Sequence, residues 1–465
     1  MRPLKQQRPS NNILLWLSFS LLLSCSVCTQ ASAETKKKTE AEASPRTIEL
    51  SGELSTTLYL RNDTDFDPSP RFDDLDGQSD GQFATFFNPT LTVHTGEGII
   101  VKYQLEIGWN AWGLNNPSQA NQFMAMPGEA LQGRHRLIWA SWQEGGVSLR
   151  FGFQELKDPS GLFLNHTVGG VRARFKRGEH RTQLLFAQLP DTSYEGIGFN
   201  RDYITDDNLT TDRFLLGGDY LWSHQALKLS VGFYGLSDES LFHRALRLGT
   251  AVLSISHQTK SRRLWLHLLG QAGWQEQASA LNETVDHRAY AYQAGAQVRS
   301  GKLTIALRTF GISGDDHLDG NDIQGAFFGS AKNLSRTRLL TEDESRDRYD
   351  NLDERMGSYL GVLAYNPAGL MVSDLMLAYP VKATYRIEGV VGFGNTINST
   401  RALGASVVGT EFSLTQRWSL SKASSLYLSL LALLPGEAGA VLINDQDRTA
   451  LETLYGASIG MNARF

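Results

Sequence analysis

The chain has 465 residues and 44 Lys plus Arg against 49 Asp plus Glu, a formal charge of -5. With 44 Gly, 13 Pro and 10% aromatic residues it is neither collagen-like nor disordered nor a coiled coil. After residue 33 no uncharged apolar stretch approaches the ~20 residues of a spanning helix, which excludes a polytopic helical membrane protein.

Residues 1–33 read as a secretory leader: Arg2, Lys5 and Arg8, an apolar run from Ile13 to Val27, and Ala31-Ser32-Ala33 as the cleavage site. A rival site, Leu22-Leu23-Ser24-Cys25, fits a lipoprotein. Both cysteines, Cys25 and Cys28, precede the expected cut, so no disulfide or thiolate chemistry is expected after it. The leader carries three of the basic residues and none of the acids, which leaves -8 on the remainder. Residues 34–46 are charged and poor in apolar side chains, and read as a periplasmic lead-in.

From Thr47 the dominant period is two. Ile48, Leu50, Gly52, Leu54, Thr56, Leu58 and Leu60 share one face. Val101, Tyr103, Leu105 and Ile107 alternate with Lys102, Gln104, Glu106 and Gly108. Val147, Leu149, Phe151 and Phe153 alternate with Ser148, Arg150, Gly152 and Gln154; Val171, Ala173 and Phe175 alternate with Arg172, Arg174 and Lys176. Leu227 to Tyr234 repeats the pattern, as does a segment with Val381, Ala383 and Tyr385 on one face and Lys382, Thr384 and Arg386 on the other. Successive strand side chains point to opposite faces, so each segment has one greasy and one wet side.

A soluble sandwich would turn the greasy sides inward, and a membrane barrel outward. Segments of ~10 residues, alternating tight and long connections, and a last amphipathic segment ending on Phe465 favour the barrel. Tight turns are expected near 95–98, 144–146, 177–179, 223–226, 259–262, 300–301, 386–389 and 419–423. Long loops are expected at 62–81, 111–133, 155–168, 189–211, 237–247, 275–287, 314–373, 398–404 and 435–451. Eight turns and nine loops predict an all-β transmembrane antiparallel barrel of 18 strands over residues 47–465, with periplasmic termini. A hidden hairpin in 314–373 would make 20, and loss of the strand near Val390–Ile397 with its neighbour would make 16.

A barrel of 18 strands leaves an aqueous lumen unless loops or side chains fill it. The candidate pore-lining residues are Arg150 and Gln154, Arg172, Arg174 and Lys176, Lys102 and Glu106, then Arg308, Lys382, Arg386 and Glu411. Lys228, His267, Arg299, Lys302, Glu388 and Arg464 also fall on wet faces. Clustered arginines would concentrate anions; the bland reading is that they pair with acids and brace the wall. Loop 314–373 carries Asp315, Asp316, Asp319 and Asp322, which either fold in as a gate or stay on the surface. The acids of the first loop, Asp63 to Asp80, read as a solvated rim, with lipopolysaccharide phosphates bridged by cations as the sharper alternative.

Trp109, Trp112, Trp139, Trp142, Trp222, Trp265, Trp274 and Trp418 suit an interfacial girdle, with Trp112 and Trp265 left off the lipid face as sugar platforms. No phosphate loop, metal-spaced histidine pair or nucleophile elbow appears. No enzyme activity, cofactor, metal or nucleic-acid partner is therefore expected. The expected partners are outer-membrane lipid and lipopolysaccharide, the barrel-assembly machinery, and small anionic solutes or polysaccharide.

Leu149-Arg150-Phe151-Gly152-Phe153-Gln154-Glu155-Leu156 and Val168-Gly169-Gly170-Val171-Arg172-Ala173-Arg174-Phe175 resemble two strands of the alginate-export (AlgE-like) outer-membrane family. Lys382-Ala383-Thr384-Tyr385-Arg386, Gly409 to Leu414 and Leu434-Pro435-Gly436-Glu437 are similar to later segments of it. The resemblance implies 18 strands and a lumenal Arg150, Arg172 and Arg174. Phe153 stands where the family has arginine, one cation fewer. The expected function is an outer-membrane porin for small anionic solutes, possible acidic sugars included. The alternatives are an exporter of an anionic, alginate-like polysaccharide and a plugged structural or adhesive barrel.

Overall fold

The computed structural model describes residues 46–61, 80–110, 131–189, 213–238, 245–276, 284–315, 324–329, 335–337, 340, 368–443 and 451–465. The expected leader and almost all of the lead-in, with Asp316, Asp319 and Asp322, lie outside them.

Eighteen strands follow in chain order. They are β1 (Thr47–Arg61), β2 (Asp80–His94), β3 (Ile99–Asn110), β4 (Leu131–Glu144), β5 (Val147–Lys157), β6 (Asn165–Arg177), β7 (His180–Leu189), β8 (Arg213–His224) and β9 (Leu227–Asp238). Then come β10 (Leu246–Gln258), β11 (Arg262–Glu276), β12 (Thr284–Ser300), β13 (Leu303–Ile312), β14 (Leu370–Lys382), β15 (Tyr385–Thr396), β16 (Val407–Ser419), β17 (Ser424–Pro435) and β18 (Leu454–Arg464). A seven-residue helix, α1 (Glu437–Ile443), lies between β17 and β18. Each strand pairs antiparallel with its chain neighbour, and β1 pairs with β18 from Glu53↔Arg464 to Arg61↔Gly456. The sheet is a closed 18-strand barrel, as the alternation predicts. Closure leaves no unpaired edge, the condition for a sheet to sit in lipid.

Seven of the eight tight turns fall where expected. At one of them Gly145 and Gly146 take φ of 56° and 88°, the mirror-image geometry that glycine reaches without Cβ strain and that matches strand twist. The eighth is a correction. The chain turns at Ala383–Thr384, between β14 and β15, not at 386–389, and Arg386 lies within β15. The register shifts between Pro380 and Lys382. Proline cannot donate to the ladder, so the register breaks there and β14 ends two residues on, at Lys382, while the alternation runs on through the turn and imitates a strand.

Which face is outside follows from exposure. Leu268 is 43% exposed and Leu307 55%, while their strand neighbours Leu269 and Ala306 are 5% and 1%. The exposed apolar residues recur round the ring, among them Phe151, Val171, Phe233, Val391 and Ile459. A belt of that extent in water would aggregate, whereas facing acyl chains it is the expected outer wall. At the tight-turn end this face carries Trp142, Tyr220 and a Tyr385–Trp418 stack with centroids 5.4 Å apart, rings that suit a bilayer interface. Leu268→Arg should lower barrel stability by about 2–4 kcal/mol, read from urea unfolding in lipid vesicles, and Leu268→Ala far less.

The inner face is not uniformly wet. Toward the long loops many of its side chains are apolar: Leu185, Leu215, Leu248, Phe310, Val372 and Leu433 are all buried. They pack on Phe163 and Leu164 of the β5–β6 loop, on Phe327, Phe328 and Leu340 of the long loop, and on Val441 of α1. Described residues of the loops thus build a hydrophobic core inside the loop-side half of the barrel.

Candidate functional site

Below that core, toward the tight turns, the inner wall turns basic. Arg150 on β5 stands directly opposite Arg172 on β6. Arg174, two residues further along the same face, is opposite Gln183 on β7 and donates Nε–H to its Oε1 at 2.7 Å. Arg174, Arg150 and Arg181 are each close enough to Arg172 to repel it electrostatically. Four guanidinium groups on three neighbouring strands therefore share one patch of wall.

What holds them there is sparse. Arg172 donates to the Glu155 carbonyl at 3.3 Å. Arg150 lies over the Trp139 ring, 3.7 Å from its centroid, a cation–π contact that fixes the guanidinium without neutralising it. Gln154, 0% exposed, donates Nε2–H to the Gly170 carbonyl at 3.0 Å. Two acids lie by the patch: Glu155 attracts Arg150 and Arg172, and Asp219 is the second. Asp219 on β8 accepts from Gln183 Nε2 at 3.0 Å and from the Tyr234 hydroxyl at 3.3 Å, with Arg181 at 4.0 Å. Nε of Arg150 and Nε of Arg181 are buried and have no acceptor among the described residues. A buried donor without an acceptor is costly.

The other sequence candidates lie elsewhere. Lys102 is half-buried on β3, in register with Trp139. Glu106 is in register with Arg134, and its side chain lies outside the described residues. Lys176 and Lys382 are exposed at the tight-turn end; Arg386 there pairs with Glu388 at 2.7 Å. Arg308 pairs with Asp374 at 3.0 Å. Glu411, 1% exposed, accepts the Leu340 amide at 2.8 Å. Asp315 is 0% exposed and pairs with Arg401 of the β15–β16 loop at 3.2 Å. The long loop brings a cation to the wall as well: Arg336 reaches Asp374.

Trp139 corrects an expectation. It points inward beneath Arg150 and is not part of the outer girdle, whereas Trp142 three residues on is. Arg181, Gln183, Asp219 and Tyr234 had no sequence signal beyond alternation, which would have put Arg181 and Gln183 on the face of Arg174. The β5–β6 loop is pinned by Asp158. Its carboxylate accepts from the amides of Ser160 at 2.7 Å, Phe163 at 3.1 Å and Leu164 at 2.8 Å, and from the Ser160 hydroxyl. Burial pushes this carboxyl up from the ordinary aspartate value, and the donors partly oppose that.

Among the described residues no group of three or more His, Cys, Asp or Glu is placed to hold a metal ion. No family model matches the chain, and no curated protein does. Solved structures do. OccK9 (OpdG) of Pseudomonas aeruginosa matches with a TM-score of 0.55 at 12% identity, over 90% of this chain and 98% of that one. OccK2 (OpdF) of the same organism, in complex with glucuronate, matches at 0.52 and 13%, over 90% and 98%. OpdK of that organism, with vanillate, matches at 0.53 and 12%, over 90% and 98%. At these identities the likeness shows the fold, that of outer-membrane barrels. It also corrects the resemblance drawn from the short motifs: the structural neighbours are Occ/OprD-family porins and not alginate exporters. The matched motifs are strand-and-turn patterns that barrels share.

Proposed function

We propose that the chain is a passive channel of the Gram-negative outer membrane that favours small anionic solutes, carboxylates of acidic sugars among them. The observation that carries this reading is the patch of Arg150, Arg172, Arg174 and Arg181, four cations against the two acids Glu155 and Asp219, with two buried donors that have no acceptor among the described residues. Arginine keeps its charge and presents a fork that matches a carboxylate. A cationic wall in a narrow passage raises the local anion concentration. The carboxylate solutes in OccK2 and OpdK, glucuronate and vanillate, agree in class. The reading requires neither cofactor nor catalysis. In planar bilayers under a KCl gradient, single barrels should conduct with a reversal potential on the chloride side. A cation-side potential would overturn it. A plugged structural barrel is the second reading, favoured by the apolar core in the loop-side half, and it predicts no conductance steps.

A further inference from the structure

A loop threaded into a barrel faces the problem any buried backbone faces: its N–H and C=O groups lose water and must find partners. In the loop between β13 and β14 the described segments solve it with side chains of the wall. Gln271 on β11, 4% exposed, works as a strand would: its Nε2 donates to the Phe328 carbonyl at 2.7 Å and its Oε1 accepts the Phe328 amide at 2.9 Å. Asp374 on β14, 1% exposed, accepts from the Arg336 amide at 3.1 Å, the Ser335 hydroxyl at 3.0 Å and the Arg336 guanidinium. Glu411 on β16 accepts the Leu340 amide at 2.8 Å. Two of the three anchors are buried carboxylates, Asp374 at 1% exposure and Glu411 at 1%. Such groups are tolerated when their lone pairs are used, and the loop's donors use them.

From these contacts we infer that Gln271, Asp374 and Glu411 form a clamp that holds Phe327, Phe328, Ser335, Arg336 and Leu340 of the β13–β14 loop in the lumen and thereby sets the size cut-off of the channel. The anchors stand on β11, β14 and β16, within six consecutive strands, a third of the ring. The clamp holds Phe327, Phe328 and Leu340 in the lumen, all three fully buried. The wall makes room for it at Gly392 on β15, where a Cβ would collide with the Thr337 methyl. The acids of this wall are then positioning residues, not charges offered to solutes, and the arginine patch on β5 to β7 keeps the anion preference to itself.

This inference rests on the channel reading, and the test separates the two. The full chain, with Cys25 and Cys28 replaced by serine, is compared with a Gln271→Ala/Asp374→Asn/Glu411→Gln variant; heat-modifiable migration on gels verifies that each barrel has closed. The released variant should show roughly threefold higher single-channel conductance, because the width of an 18-strand barrel is then less obstructed, and should pass larger neutral sugars in liposome swelling. Arg336→Gln, which leaves the wall untouched, should shift both in the same direction by less. A Thr337→Cys/Gly392→Cys pair tests position directly. The Cβ of Gly392 would lie 3.4 Å from that of Thr337, near the ~3.8 Å of a disulfide. Added to the released variant, it should restore the low conductance when oxidised and lose it on reduction. A closed barrel that conducts like the parent after release, or a cross-linked one indifferent to reduction, overturns the clamp alone. Absence of conductance in parent and released forms overturns the clamp and the channel reading together.

Discussion

Replacing Arg150, Arg172 and Arg174 together with alanine is expected to lower anion passage roughly five- to tenfold, and the anion-over-cation permeability ratio by more because cations are then repelled less, each charge acting on a passing ion with about 0.4 kcal/mol at ~6 Å in a wet lumen at ~0.1 M salt. Three such contributions make about 1 kcal/mol, and 1.4 kcal/mol is a factor of ten. The measurement is the reversal potential under a KCl gradient, which should move toward zero. Salt gives a second check. At ~1 M the Debye length shrinks to about 3 Å, so the parent should lose most of its preference and the variant should change little. Arg181 remains in the triple variant and is held near Asp219, so a residual anion preference is expected. Reversal potentials unchanged at low salt would remove these three arginines from any role in selectivity. Trp139→Ala should act in the same sense but more weakly, because it frees Arg150 from the ring without removing its charge.

The strand count, the lipid face and the tight turns were legible because each follows from chemistry local in sequence. Period-two alternation marks a strand with two different environments, and glycine pairs such as Gly145-Gly146 mark a two-residue turn. That Arg150, Arg172 and Arg174 share one face of neighbouring strands was legible for the same reason. What failed did so where a non-local partner changed the environment. The alternation gives each strand one wet face, yet Leu185 on β7 is buried in the apolar core between Leu184 and Phe186, which face lipid. Trp139 lies three residues from Trp142, and nothing short of the pairing with β5 shows that Arg150 covers it. Asp374 sits one residue beyond the expected limit of the long loop, and its role depends on Arg336 and Ser335 folding back 38 and 39 residues. The family resemblance failed for a related reason. Short motifs record the demands of strand and turn, which unrelated barrels share, and carry little about the loops that make one lumen differ from another.

The largest stability effect is expected at the loop end of β8 and β9. Arg213 Nε and Asp238 Oδ2 are 2.6 Å apart, and both side chains are 1% exposed. In the ladder they are flanked by Leu189 on one side and Leu246 on the other, and both leucines belong to the apolar core that Phe163 enters. A pair in such a place pays a desolvation cost that its attraction about balances. Removing one partner leaves the cost and cancels the attraction. Arg213→Leu should therefore destabilise the barrel by about 3–5 kcal/mol, measured by urea unfolding and refolding in lipid vesicles. Arg213→Leu/Asp238→Leu should recover most of that loss, since two leucines among Leu189, Leu215 and Leu246 bury no charge. The asymmetry between single and double variants distinguishes a desolvated ion pair from an ordinary packing defect, in which the double variant would be the worse of the two. A single variant within about 1 kcal/mol of the parent would mean that water reaches Asp238, and with it that the loop-side half of the lumen is wetter than its packing implies.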